Sequence, residues 1–425
     1  MRVNSRSGRS RGAGRAGHPG PDDLREEVRR RFFPHEAGAP VRVGVEAEWI
    51  PLLSGSGHPA PLDDPAGPSL LSMLRGCSER TGWTERVSDG AVVSFHAPTG
   101  GKVSLEPGGQ VEYSSPPFAG TAPLLADLHD VAGLLARAAE REGIRLLAVG
   151  IDPVNPVERA ELLIASDRYR RMARHFDRCG PAGRRMMRQT AAFHVNVDFG
   201  PDPRLQWRVA NALVPLLIAI FANSARCAGG ATGFRSFRAQ QWRELMPGAP
   251  TDAPTRKGSA DPVEIYYRAA LRAPALLLGP EDAAPLPFER WMGSADLDAW
   301  RRHLTTLFPE VRPRGYMEIR SCDALPPRWH AAPIVFLQGL LCDPGTLAEA
   351  ALRLPPAGFE ELEAAGRYGL HDPTRQALAR DLFDLALEGA RRLGEDVVDG
   401  AAIRSAGEFR DRFTAKGRDP AGEAE

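Results

Sequence analysis

The sequence predicts an α+β fold organised on an antiparallel sheet, and three observations carry that expectation. Four segments, 41–50, 103–114, 190–199 and 315–322, alternate polar and apolar residues with the period of a strand. Segments with helical spacing lie between them, but strand and helix do not alternate in the regular way that builds a doubly wound parallel sheet. The composition, 43% hydrophobic and 25% charged over 425 residues, is that of an ordinary globular chain able to bury a sizeable core.

Taken in order, residues 1–20 are rich in Arg, Gly and Ser with no acid before Asp22, and are expected to be a disordered tail. A helix is expected over 22–31, followed by the strand at 41–50 and a Pro/Gly/Ser-rich loop at 52–68. The strand segment 103–114 is interrupted by Pro107-Gly108-Gly109. Helical spacing covers 121–143, 166–178, 204–224, 328–342 and 373–393, with Ser166 and Asp167 as an N-terminal cap for the second. The most apolar stretch, 209–223, contains Asn211 and Pro215 and falls short of the ~20 residues of a membrane span, so it reads as a buried core helix. A second loop is expected at 248–262, and the charged stretch 407–425 is expected to fray. No repeat or sharp linker divides the remainder, which points to one domain over 21–406.

Several function classes are excluded at this level. Lys+Arg and Asp+Glu are both 54, so a dedicated nucleic-acid binder or a polybasic membrane protein is disfavoured. The five cysteines form no C-x-x-C pair, and with no apolar signal core at the start of the chain a reducing cytoplasm is expected. The three lysines, Lys102, Lys257 and Lys416, occupy no phosphate-loop motif. Gly55-Ser56-Gly57-His58-Pro59-Ala60 matches a dinucleotide fingerprint in letters only, because it lies in a proline-rich loop with no helix after it. HExxH is absent, and the only GxSxG match, Gly8-Arg9-Ser10-Arg11-Gly12, falls in the Arg/Gly/Ser-rich tail.

The polar faces of the strands carry the chemistry. Residues two apart share a face of a strand. Val45, Ala47 and Trp49 therefore oppose Glu46 and Glu48; Phe193, Val195, Val197 and Phe199 oppose His194, Asn196 and Asp198; Met317 and Ile319 oppose Tyr316, Glu318 and Arg320. Glu106 and Glu112 flank the Pro-Gly-Gly break. A solvent-facing sheet carries mixed polar residues, whereas these faces carry mainly metal-capable ones. If they line one cavity, five carboxylates need compensation, and hard divalent cations with oxygen ligands supply it. Several Mg²⁺ ions beside Arg320 would suit phosphoryl transfer. Other readings are the bland ones: Cys322 as a small buried residue, Trp242 as packing, Asp198 as a turn cap. Arg184, Arg185 and Arg188 either reach phosphates or sit on a solvated surface.

The blocks VGVEAEW (43–49), SLEPGGQVEYSSPP (104–117), RRMMRQTAAFHVNVDFG (184–200), IAIFANS with TGFRSFRAQQW (218–242) and HLTTLFPEVRPRGYMEIRSCDALP (303–326) occur in one order. In this the chain resembles the plant-type glutamate–cysteine ligase family, and within it the bacterial branch of ergothioneine biosynthesis. The resemblance implies a glutamine-synthetase-like antiparallel sheet forming a funnel, flanked by helices. It implies ATP and two or three Mg²⁺ as cofactors, L-glutamate and L-cysteine as substrates, no nucleic-acid or membrane partner, and a monomer or homodimer. By the same resemblance Glu46, Glu48, Glu106, Glu112, His194 and Glu318 fall at metal positions. Arg320 and Glu318 fall at catalytic ones, and Arg238, Asn196, Gln110 and Arg320 at substrate or nucleotide positions.

The implied reaction activates the γ-carboxylate of glutamate as γ-glutamyl phosphate and passes it to the amine of cysteine. Three alternatives remain open on the residues alone: a related carboxylate–amine ligase with another acceptor, a catalytically silent nucleotide-binding regulator, and a two-metal phosphohydrolase.

Overall fold

A computed structural model describes residues 18–33, 41–88, 91–245 and 261–423; the side chains of 88 and 91–93 are outside this description. Most of the expected N-terminal tail and of the loop at 248–262 lies outside the described residues. In chain order the strands are β1 (Val43–Leu53), β2 (Thr84–Ser88), β3 (Ala91–His96), β4 (Lys102–Leu105), β5 (Val111–Ser114), β6 (Ile144–Leu147), β7 (Ala192–Asp198), β8 (Arg226–Cys227), β9 (Gly230–Ala231), β10 (Val311–Pro313) and β11 (Tyr316–Asp323).

One sheet takes the order β10-β11-β7-β1-β5-β4-β3-β2, with β6 pairing the distal half of β1. Its pairings are antiparallel, and helices flank it. The four expected strand segments are its centre. The expected strand at 103–114 is two strands, because Pro107-Gly108-Gly109 makes a turn between β4 and β5. Gly109 adopts φ +90°, and a Cβ on Gly108 would lie 2.1 Å from the Arg188 carbonyl oxygen, so the turn takes glycine. The short strands β2, β3, β6 and β10 escaped the alternation pattern because each is too brief to show it or, like Ile144–Leu147, has none.

One face of the sheet is apolar. Val43, Val45, Ala47, Phe193, Val195, Val197, Met317 and Ile319 are all buried in the main core. Three helices lie against this side: Thr121–Arg141, Pro203–Ile220 and Ala331–Leu341. The second takes in residues 209–220 of the stretch read as a core helix, ending three residues short of it, and its residues from Val209 to Ile220 are buried. The first helix, Pro21–Phe32, buries Leu24, Val28 and Phe32, an i, i+4, i+8 stripe. Phe32 meets Trp207 edge-on at 5.2 Å.

The C-terminal stretch corrects an expectation. Residues 407–425 were expected to fray, but helix Gly400–Arg412 and short turns continue the fold to Glu423. Phe409 is fully buried, with ring centroids of Phe221, Trp329 and Phe383 at 5.3, 5.6 and 6.2 Å. The backbone of Ala421 donates to the Ala222 carbonyl at 3.1 Å. Most charges in this segment sit outward, Asp419 is buried against Arg235, and a few well-spaced aromatic residues anchor the rest.

No single helix among the described residues is long and apolar enough to cross a membrane. The apolar pair 327–341 and 344–353 is bent by 92°, and helix Ala331–Leu341 is buried throughout.

Candidate active site

Register brings the polar residues into rows. Glu46 pairs with His194 on β7 and with Ser114 on β5, and Ser114 pairs onward with Lys102 on β4. Glu48 pairs with Glu112, which pairs with Ser104. On the other side Arg312 pairs with Glu318, which pairs with Asn196. These rows form the floor of a cavity of about 470 Å³. Helices Asp167–Arg178, Pro181–Arg188, Phe237–Leu245 and Leu297–Leu304 wall it with Arg168, Tyr169, Met186, Met187, Arg238, Trp242 and Leu304.

The structure therefore gathers Glu46, Glu48, Glu106, Gln110, Glu112, His194, Asn196, Arg238 and Arg320 around one hollow, with Glu318 fully buried beneath its arginine end. Asp198 lies apart and binds the backbone and guanidinium of Arg42. Arg184 and Arg188 turn to Asp177 rather than to the cavity, and Arg185 stacks on Phe237. Cys322 is buried in the main core.

The two ends differ electrically. At one end Glu48, Glu106 and Glu112 crowd together. Burial and the Glu112 charge push Glu48 up to about 8. Burial, then Glu106 and Glu46, push Glu112 up to about 8. Burial, then Glu48 and Glu46, push Glu106 up to about 7. Their protein donors are few: Ala192 N–H on Glu48 at 2.8 Å, and Ser114 Oγ and Ser104 Oγ on Glu112 at 2.9 and 3.4 Å. At the other end burial opposes the charge of Glu318, but Arg312 and Arg320 hold it well below the usual carboxylate range. Arg312 binds both its oxygens, Arg314 donates at 2.9 Å, and Arg320 at 3.4 Å.

Between the ends sits His194. Its Nδ1 meets Glu46 Oε2 at 2.9 Å, and its Nε2, buried and without a partner, lies 3.9 Å from Glu48 Oε1. Burial and Arg320 push its pKa down to about 4, so the ring is neutral near pH 7. An Nδ1–H given to Glu46 leaves the Nε2 lone pair for a ligand. Glu46, His194 and Glu318 present donor atoms within 4.8 Å of one another. Crowded carboxylates, raised pKa values and an orphaned imidazole nitrogen fit hard divalent cations.

Arg238 is nearly fully buried and donates to the Arg320 carbonyl at 2.8 Å, while its Nη1 lies 3.7 Å from Asp323. Asp323 also ties Asn223 N, Ser224 Oγ and Ser236 Oγ at 2.7, 2.6 and 3.0 Å, which fixes the loop before helix Phe237–Leu245. Gln110 spends both ends of its amide on backbone, accepting from Gly108 N at 3.0 Å and donating to the Thr190 carbonyl at 2.9 Å. It braces the turn that carries Glu106. Arg320 sits over Trp242 and Phe308 at 5.7 and 5.6 Å.

Sequence reasoning missed Arg312, Arg314, Arg168, Tyr169, Lys102 and Arg31, all of which line the cavity. For Arg312 and Arg314 a signal existed, since they stand two apart in VRPRGYMEIR beside Glu318 and Arg320. Arg31 and Arg168 lie on helices far away in the chain, and no local pattern marks them.

Comparison with known proteins gives concordant matches. The sequence model of glutamate-cysteine ligase family 2 matches residues 42–420. The chain is 34% identical over 385 residues to the glutamate–cysteine ligase EgtA of Mycolicibacterium smegmatis, covering 84% of this chain and 89% of that protein. It is 29% identical to the chloroplastic glutamate–cysteine ligase of Solanum lycopersicum, covering 83% of this chain and 71% of that one. Among solved structures, the glutamate–cysteine ligase of Francisella tularensis in complex with AMP aligns with a TM-score of 0.50 and 11% identity over 91% of this chain and 84% of that one, a likeness of fold.

Proposed function

This chain belongs to glutamate-cysteine ligase family 2, and from that premise we propose that it joins the γ-carboxyl of L-glutamate to the amine of L-cysteine at the expense of ATP. The γ-carboxylate attacks the γ-phosphorus of ATP, giving γ-glutamyl phosphate and ADP. The cysteine amine then attacks the acyl carbon, phosphate leaves with the C–O electron pair, and the amine proton passes to solvent. Phosphorylation is needed because a carboxylate oxygen is otherwise a poor leaving group.

The observation that carries this reading is the polarity of the cavity, acids at one end and guanidinium groups at the other. Glu46, Glu48, Glu106, Glu112 and His194 would hold two or three Mg²⁺ ions, whereas Glu318, expected among the ligands, has both oxygens taken by Arg312, Arg314 and Arg320. Bound there, the ions neutralise phosphate charge and draw the two anionic reactants together. Arg320, over the rings of Trp242 and Phe308, keeps N–H groups free for the transferring phosphoryl oxygens. Glu318 fixes Arg312, Arg314 and Arg320 in one cluster and holds them together despite their like charge. Arg238, anchored on the Arg320 carbonyl, is placed to pair with a carboxylate of glutamate, and Asn196 borders the same space. The chemistry needs no enzyme nucleophile. A reducing cytoplasm, where ATP and free thiol coexist, suits it, and the likeness to EgtA favours supply of γ-glutamylcysteine to ergothioneine synthesis.

The test is phosphate release by the purified protein with ATP and Mg²⁺. Release should require both glutamate and cysteine and match γ-glutamylcysteine formed. Release with no amino acid present would make it a phosphohydrolase, and a better amine than cysteine would reassign the acceptor.

A further inference from the structure

The helix Pro21–Phe32 lies before residue 42, where the family match begins, so the family assigns it no role. It is nevertheless part of the cavity wall. Arg31, in its last turn, lines the main cavity together with Arg312 and Arg314. The same Arg31 and Arg314 line an outer hollow of about 460 Å³ with Arg30, Arg301 and Arg302, so the two spaces meet at these side chains.

The helix is firmly seated. Trp300 Nε1 donates to the Leu24 carbonyl at 3.0 Å, and Arg301 binds Glu27 at 2.8 Å. The Arg31 carbonyl accepts from Gly315 N at 2.8 Å, at the turn between β10 and β11. That hairpin carries Arg312, Glu318 and Arg320, so the backbone of Arg31 is in register with the arginine cluster.

The guanidinium of Arg31 is different from its neighbours. Arg312, Arg314 and Arg320 share Glu318, and Arg30 and Arg301 share Glu27. Arg31 makes no side-chain hydrogen bond or ion pair among the described residues, though it is half-buried and flanked by like charges; burial, with Arg312 and Arg314, lowers its pKa. A partly desolvated cation beside other cations is costly, and an arriving anion offsets the cost.

We propose that Arg31 is a substrate contact that holds an oxyanion at the mouth of the cavity, either a phosphate oxygen of ATP or the α-carboxylate of an amino-acid substrate. This rests on the ligase reading of the cavity, and it adds a binding residue from outside the matched segment. A purely structural role, a cation at a helix C-terminus, would lower the melting temperature slightly on removal and leave substrate binding alone.

The experiment compares full-length wild type with Arg31→Ala and Arg31→Lys. The KM for ATP, glutamate and cysteine is measured separately, and affinity for ADP, glutamate and cysteine is measured by calorimetry. Loss of a charge-assisted contact should raise one KM by about 10- to 100-fold in Arg31→Ala, with kcat changed less and Arg31→Lys in between. A rise for ATP identifies a phosphate; a rise for glutamate or cysteine identifies a carboxylate. All three KM values and affinities within about twofold of wild type in folded variants, whatever their melting temperature, overturn the inference. If Arg31→Ala does not fold, Arg31→Gln, which keeps a polar stem and drops the charge, carries the comparison, and an unchanged KM set there is equally adverse. A wild type without ligase turnover defeats the ligase reading instead, and the calorimetric arm still decides the role of Arg31.

Discussion

Glutamates on the same polar surface behave in opposite ways here. Glu318 is clasped by three arginines, so its charge is part of the folded structure. Glu318→Gln leaves buried Arg312 without its counter-ion, and should cost about 3 kcal/mol of stability as well as abolish turnover. Glu112 is the reverse case, a carboxyl pushed up to about 8 by burial and by Glu106 and Glu46. Glu112→Gln keeps an oxygen for Ser114 and removes repulsion. At pH 8.5, where Glu112 is ionised, the metal-free variant should melt at a higher temperature than wild type, while turnover falls by about 100-fold or more. Thermal melts with and without Mg²⁺, beside the phosphate assay, check both variants. That these residues were ligand-capable was visible in the sequence, because side-chain alternation is local. Which of them an arginine neutralises was not, because Arg312 sits on a three-residue edge strand too short to show a pattern.

Two connections illustrate how elements position the site. The β4–β5 turn approaches the Arg188 backbone so closely that a Cβ on Gly108 would overlap its carbonyl oxygen. Gly108→Ala should cost about 2 kcal/mol and shift Glu106, weakening Mg²⁺ binding; chemical denaturation and metal titration read the two effects. At the far end of the chain, Phe409 packs among Phe221, Trp329 and Phe383 behind the sheet. Phe409→Ala should cost about 3–5 kcal/mol with no specific change in KM. The Pro-Gly-Gly turn was legible because turn chemistry is written in adjacent residues. The C-terminal helix was misjudged because net polarity is a poor guide where a few aromatic residues supply the burial.

The whole molecule holds several acids in one cavity, and this sets its response to pH. Glu48, Glu106 and Glu112 have folded-state pKa values of about 8, 7 and 8 in the metal-free protein, above the ordinary carboxylate range. The native state then binds more protons than the unfolded state between those limits, so native stability falls as pH rises through that window to about 8. Metal-free protein should melt higher at pH 6 than at pH 8.5. Mg²⁺ should shrink the difference, and its binding near pH 7 should release protons, seen as a heat that varies with buffer ionisation enthalpy. A pH-independent melt without metal would contradict the crowding. By itself the chain determined the class of fold, the central strands and the residue types on their polar faces, since each follows from a period of two or a turn motif within a short window. Only the tertiary structure decided which strands are neighbours, how Glu318 is paired, and that helix Pro21–Phe32 reaches the cavity with Arg31. Those outcomes depend on burial shared between distant segments, and no local pattern of side chains encodes the partner that a buried charge will find.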